Sequence, residues 1–95
     1  MTAYFIADIE IRDPNTYANY LRAAMPTLVQ HGGRVLVRAD EYEHLEGDWT
    51  PHRVVIVEFP SMSQARAWWN GPEYDATKAL RRASTVSHAI IVEGL

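Results

Sequence analysis

The 95-residue chain has no cysteine. That excludes disulfides, thiolate nucleophiles and thiolate metal ligands, and it fits a reducing cytoplasm, where the protein is expected to reside. Basic residues are also in short supply: 9 Lys and Arg against 12 Asp and Glu leave a formal charge of −3. Nucleic acid and anionic membrane surfaces both require a basic footprint, so neither is expected as a partner. No apolar run approaches the length of a bilayer span. The opening "MTAYFIADIEIRD" places Asp8 and Glu10 where a secretory leader would continue apolar, so no leader is expected. The four histidines, His31, His44, His52 and His88, never recur at a ligand spacing such as HxxxH, so no metal site is expected. The nucleophile-elbow pattern GxSxG is missing, and "HGGR" follows a helical stretch instead of preceding one, which removes the phosphate-loop reading. No cofactor is expected.

What remains is a chain that is 47% hydrophobic, enough for one small domain spanning 1–95. A core of that size covers only a modest share of the surface, which makes pairing with a second copy a ready way to bury more. "AYFIADIEI" reads as a strand, with Ile9 and Ile11 on one face and Asp8 and Glu10 on the other. A helix follows, capped by Asp13 and opened by Pro14. Tyr17, Tyr20, Leu21, Ala24 and Leu28 have the spacing of one buried face, and Pro26 predicts a kink or break. "RVLVRA" predicts a short strand with Val35 and Val37 on one face and Arg34, Leu36 and Arg38 on the other. "HRVVIVEF" is its hairpin partner across a long polar tip. Ser61 and Gln64 form a capping-box pattern ahead of a second helix that buries Ala65, Trp68 and Trp69. Gly71 and Pro72 break it. A further helical segment points Ala76, Ala79, Leu80 and Ala83 inward, and "TVSHAIIVEGL" closes the chain as a fourth strand.

The order βαββαβ predicts an α+β, ferredoxin-like fold: a four-stranded antiparallel sheet with its helices on one face. Strands one, three and four are apolar at both parities, so the second face is expected to be covered. A second copy is the simplest cover, giving a homodimer whose two sheets face each other in a dimeric α+β barrel.

Several residues can carry chemistry in such a barrel. Arg53 opens a strand that should be buried, and an unpaired buried charge is costly. Glu46, followed by the permissive Gly47, is its expected partner across the loop. Arg53 and Arg38 can alternatively point inward and hold a small organic anion such as a carboxylate. His88, Asp8 and Glu58 are the candidates for a catalytic base, with a satisfied core histidine as the blander account of His88. Trp49, Trp68, Trp69 and Tyr74 can line a small apolar cavity, and Tyr17 and Tyr20 can either pack or offer hydroxyls to a ligand.

"HGGRVLVR", "LEGDWTPHRVVIVEFPSMSQARAWWNGPEY", "ALR" and the closing "VEG" together resemble the family known as domain of unknown function 1330, and the similarity extends through the opening "YFIADIEIRDPNTYANY" to cover essentially the whole chain. Carried over, its signature positions are Tyr20, Gly33, Arg38, Glu46, Gly47, Arg53, Phe59, Trp68, Tyr74 and Arg81. Trp69 and Asn70-Gly71 stand where a tyrosine and a small polar residue are usual, which bears on local pocket shape. The resemblance implies the dimeric α+β barrel superfamily, whose members include cofactor-free monooxygenases, lactone isomerases, haem-degrading enzymes and proteins without demonstrated catalysis. It implies no particular activity. Three readings stay open: an enzyme acting on a small carboxylate or aromatic metabolite, a non-catalytic module binding such a molecule, and a purely structural dimeric module. The ligand-binding candidates are Arg38, Glu46, Arg53, Trp68, Tyr74 and Tyr20.

Overall fold

A computed structural model describes residues 1–95. Strand β1, Ala3–Ile11, alternates buried Ala3, Phe5, Ala7 and Ile9 with half-covered Tyr4, Ile6, Asp8 and Glu10. Helix α1, Pro14–Gln30, starts where the sequence predicts: the Asp13 carboxylate accepts the Thr16 N–H at 3.2 Å, and Pro14 takes the first helical position, where a missing N–H costs nothing. The break expected at Pro26 does not occur, and α1 runs through it. Pro26 lies on the exposed side of the helix, so water can meet the carbonyl that loses its partner there.

The remaining elements are β2, Arg34–Ala39; β3, Arg53–Phe59; α2, Met62–Asn70; α3, Pro72–Ser84; and β4, Thr85–Glu93. The Ser61 hydroxyl accepts the Gln64 N–H at 3.1 Å and so caps α2. The turn into β2 needs glycine at two successive positions. Gly32 has φ +76°, and a Cβ on Gly33 would lie 3.0 Å from the Phe59 ring.

The four strands form one antiparallel sheet in the order β2-β3-β1-β4. The fold is α+β and ferredoxin-like, with the second helix of that pattern split into α2 and α3 at Gly71-Pro72. All three helices share a single core with the Ala3/Phe5/Ala7/Ile9 face of β1, which leaves the opposite face of the sheet without a layer over it. The resulting slab measures 35 × 33 × 16 Å. No helix is long and apolar enough to cross a membrane.

Trp68 is the centre of the core. Its ring packs edge-on to Phe5 at 5.1 Å and lies 5.3 Å from Phe59 and 4.1 Å from Tyr74. Its indole N–H is satisfied by the Thr27 hydroxyl at 3.0 Å, as a buried Trp requires.

Two expectations about facing fail. First, strict alternation in β2 is interrupted by a bulge: Val35 pairs with Val57, but Val37 pairs with Ile56 and Arg38 with Val55. The extra residue reverses the parity, so Val35 and Arg38 share the helix-covered side and Val37 goes to the other. Second, α3 does not bury its alanines. Ala76, Ala79 and Ala83 are exposed, while Tyr74, Thr77, Lys78, Arg81 and Ser84 are buried. The reason lies in what α3 packs against. The Lys78 and Arg81 cations sit 4.4 Å and 5.1 Å from the Trp69 ring, so the long side chains gain cation–π contact and stem burial that alanine cannot offer.

Candidate functional site

The buried polar face of α3 meets a cavity between α1 and the sheet. Its free space is about 40 Å³, room for one or two waters, and 12 of its 14 lining residues are hydrophobic. Phe5, Val57 and Trp68 contribute from the sheet and α2, while Tyr17, Tyr20 and Leu28 contribute from α1. The two other lining residues are Arg38 and Arg81. Arg38 is exposed, so the cavity reaches the surface on its side.

Arg81 is the chemically unusual member. It is only 6% exposed. One terminal nitrogen donates to the Ser87 hydroxyl over a long 3.4 Å, and its Nε is buried with no acceptor at all. None of the ion pairs in the protein includes Arg81 or Arg38. A buried guanidinium is normally matched by a carboxylate, because leaving it unmatched costs several kcal/mol, on the order of 3–5 when a partner is removed.

Tyrosines surround these cations. The Tyr20 and Tyr74 hydroxyls are 2.8 Å apart and buried. Burial pushes the Tyr20 hydroxyl strongly upward, and the Tyr74 hydroxyl beside it adds to the effect. Tyr74 is also raised by burial, against an opposing hydrogen bond from Tyr20 and the pull of Arg81. Tyr17 is raised by burial despite the opposing fields of Arg53, Arg38 and Arg81. All three phenols are therefore neutral at pH 7, able to donate or accept a hydrogen bond but not to take a proton as a base.

Of the sequence candidates, Tyr20, Arg38, Trp68 and Tyr74 come together at or against this cavity. Arg53 stands at its edge, 6.0 Å from the Tyr17 ring. Its expected partner is wrong: Arg53 is bound by Asp40, not Glu46, through Nε to Oδ1 at 2.8 Å and Nη2 to Oδ2 at 3.0 Å. The ladder explains why. Ala39 pairs with Val54, so antiparallel pairing puts Asp40 opposite Arg53, whereas Glu46 lies exposed near the far tip of the loop. Gly47 does make the tight turn, with φ +86°.

The catalytic candidates lie elsewhere. Asp8 and His88 are cross-strand neighbours on the uncovered face of the sheet. Asp8 is engaged at both oxygens, accepting the Trp49 indole N–H at 2.9 Å and the His52 backbone N–H at 2.8 Å. Desolvation raises its pKa, but those two hydrogen bonds, with His52 and His88 nearby, outweigh it and hold Asp8 below the ordinary carboxylate value. Asp8 thus anchors the 40–52 loop. Glu58 is paired with Arg34 at 3.0 Å. Trp49 lies over the uncovered face beside Asp8, on the other side of the sheet from the cavity.

Sequence reasoning placed no site role on Arg81 or Lys78. The signal is present in the spacing: Tyr74, Thr77, Lys78, Arg81 and Ser84 fall at i, i+3, i+4, i+7 and i+10, as one helix face does.

The model of the domain of unknown function DUF1330 matches residues 2–95. The chain belongs to the DUF1330 family. No curated protein matches it. Among solved structures, this DUF1330 chain is similar to RPA0582, a protein of unknown function from Rhodopseudomonas palustris, with a TM-score of 0.81 at 22% identity over 99% of this chain and 82% of that one. It is similar to SnoaB, a cofactor-independent oxygenase from Streptomyces nogalater, with a TM-score of 0.70 at 11% identity over 99% and 93% of the two chains. A dimeric ferredoxin-like protein of unknown function from Thermobifida fusca gives 0.67 at 15% identity over 99% and 92%. These likenesses establish the fold, and a shared fold does not carry an activity with it.

Proposed function

We propose that this DUF1330 protein is a homodimeric binding module for a small carboxylate, of about the size of formate or acetate, held in the cavity between α1 and the sheet. The observation that carries this reading is Arg81: a buried guanidinium without a carboxylate, in the lining of a largely apolar space. A ligand carboxylate supplies the missing counter-charge, and Arg38 at the open side supplies a second cation. The Tyr20 hydroxyl, paired with that of Tyr74, offers a further hydrogen bond.

Binding fits better than acid–base catalysis. The cavity is lined by phenols held neutral, by guanidiniums and by apolar groups, none of which exchanges a proton near pH 7. His88 and Asp8 face away from it. Self-association is part of the proposal, supported by the dimeric state of a structural neighbour and by the uncovered sheet face. A cytoplasmic location, suggested by the lack of cysteine, belongs to it as well.

Thermal denaturation with millimolar formate and acetate tests the site, with acetamide as the neutral isostere. At 100 times its Kd a ligand stabilises by about 2.7 kcal/mol. Both anions should raise the melting temperature of the wild type and acetamide should not. Arg81→Met should abolish the response while its own stability stays level or rises, because a buried unmatched charge is replaced by a hydrophobe of similar volume. An equal response to acetamide, or a response that survives in Arg81→Met, sinks the proposal.

A further inference from the structure

The uncovered sheet face and the 40–52 loop gather most of the exposed large apolar side chains in the molecule. Val86, Ile90 and Val92 lie on the sheet, with Ile90 60% exposed; Leu45, at 84%, and Trp49, at 62%, lie on the loop. Trp49 is not free, because its indole N–H is tied to Asp8. The bond satisfies the polar edge of the ring and fixes its position, so the apolar surface is held toward solvent in one orientation. With Asp8, Val54, His88 and Ile90, Trp49 walls an open concavity of about 420 Å³. The loop therefore turns a flat sheet into a ridge beside a socket.

Area decides what occupies it. Four strands at about 4.8 Å spacing, each about 3.3 Å per residue over seven residues, give a flat footprint of roughly 440 Å². A stable interface needs about 800 Å² from each partner. Side-chain relief raises the accessible surface above that flat footprint, and the apolar loop, which adjoins the sheet, extends it further.

We infer that the 40–52 loop is a dimer clasp: in a twofold pair of sheets, the Trp49 ridge of each protomer seats in the concavity of the other. This rests on the self-association proposed above. Twofold symmetry makes the arrangement self-complementary, since each copy carries one ridge and one socket. Pre-fixing an aromatic anchor lowers the entropy lost on docking, which is how a single side chain comes to dominate an interface. Asp8 acts as a positioning residue, through Trp49 and the His52 N–H.

Sedimentation equilibrium of the full chain across a dilution series is the test, on wild type, Trp49→Ala and Asp8→Asn, with circular dichroism to check folding. Trp49→Ala should weaken the dimer at least tenfold. Asp8→Asn leaves the apolar surface unchanged but cannot accept the indole N–H and the backbone N–H together, and should weaken the dimer severalfold. A wild-type dimer whose dissociation constant is unmoved by both substitutions overturns the clasp and leaves the face-to-face pairing standing. A wild type that is monomeric throughout overturns both. Arg81 and the cavity lie on the other side of the sheet, so the response to acetate should survive in Trp49→Ala.

Discussion

The two faces of the sheet solve opposite problems. On the helix-covered face, apolar groups are paired and a charge is left over: Trp68 is packed on every side, while Arg81 has no counter-ion. On the uncovered face the charges are settled and apolar groups are left over. Arg34 meets Glu58 and Asp8 meets Trp49 and His52, but Ile90 and Val92 face solvent. An unmatched charge in a cavity asks for a small counter-ion, whereas unmatched hydrocarbon on a flat surface asks for another macromolecule.

That contrast can be broken most forcefully at the core. Trp68→Ala should cost about 3–5 kcal/mol, since it removes a buried ring and leaves the Thr27 hydroxyl without its donor. Ile90→Ala, of similar chemistry on the other face, should leave monomer stability nearly unchanged. Urea denaturation of both variants at concentrations below dimer formation makes the comparison, and equal losses would contradict the assignment of faces.

A smaller effect belongs to the hydroxyl pair. Tyr20→Phe should cost about 1–3 kcal/mol, because it strands the buried Tyr74 hydroxyl. Tyr20→Phe with Tyr74→Phe should cost less than the sum of the single changes, as neither hydroxyl is then left unmatched. A double-mutant cycle by denaturant melts measures the coupling, and strict additivity would show that the pair does not interact.

The mildest difference is one of pH. Asp8 has a folded-state pKa below its unfolded value of about 3.9. Its contribution to stability is therefore complete above that value and is lost as the pH falls through the lower folded value. The gap in melting temperature between wild type and Asp8→Asn should be widest near neutrality and close in strong acid. A gap that persists unchanged at pH 2 would mean that the Asp8 carboxylate is not the source.

Much of this molecule is legible in its sequence. Strand alternation in β1, the Asp13 and Ser61 caps and the Gly32-Gly33 stop define the elements, and the βαββαβ order leads to the observed sheet. The site is legible only in part. Tyr20, Trp68, Tyr74 and Arg38 were identifiable, but hydropathy put the wrong side of α3 inward, because alanine counts as apolar and lysine does not. Which side a long cationic chain chooses depends on whether an aromatic ring waits for it, and Trp69 does so only in three dimensions. The signature positions held the missing clue: Tyr74 and Arg81 are seven residues apart, two helical turns, so a buried Tyr74 brings Arg81 in with it. Arg53 does need an acid, as its place at the head of a strand implies, but hairpin register, not loop composition, decides that the carboxylate opposite it is Asp40 and not Glu46.

The bulge in β2 carries a last consequence. Were β2 to pair without it, Arg38 would stand opposite Val54 and turn to the uncovered side, and the cavity would lose one of its two cations. Deleting Leu36 would give a regular ladder and keep Arg38 where it is. The charge of this cavity is thus written partly in spacing: how the residues between Gly33 and Arg38 are counted into the ladder matters as much as which residues they are. Related chains that carry the same arginine can still differ in what they bind if that stretch keeps its length but pairs without the bulge.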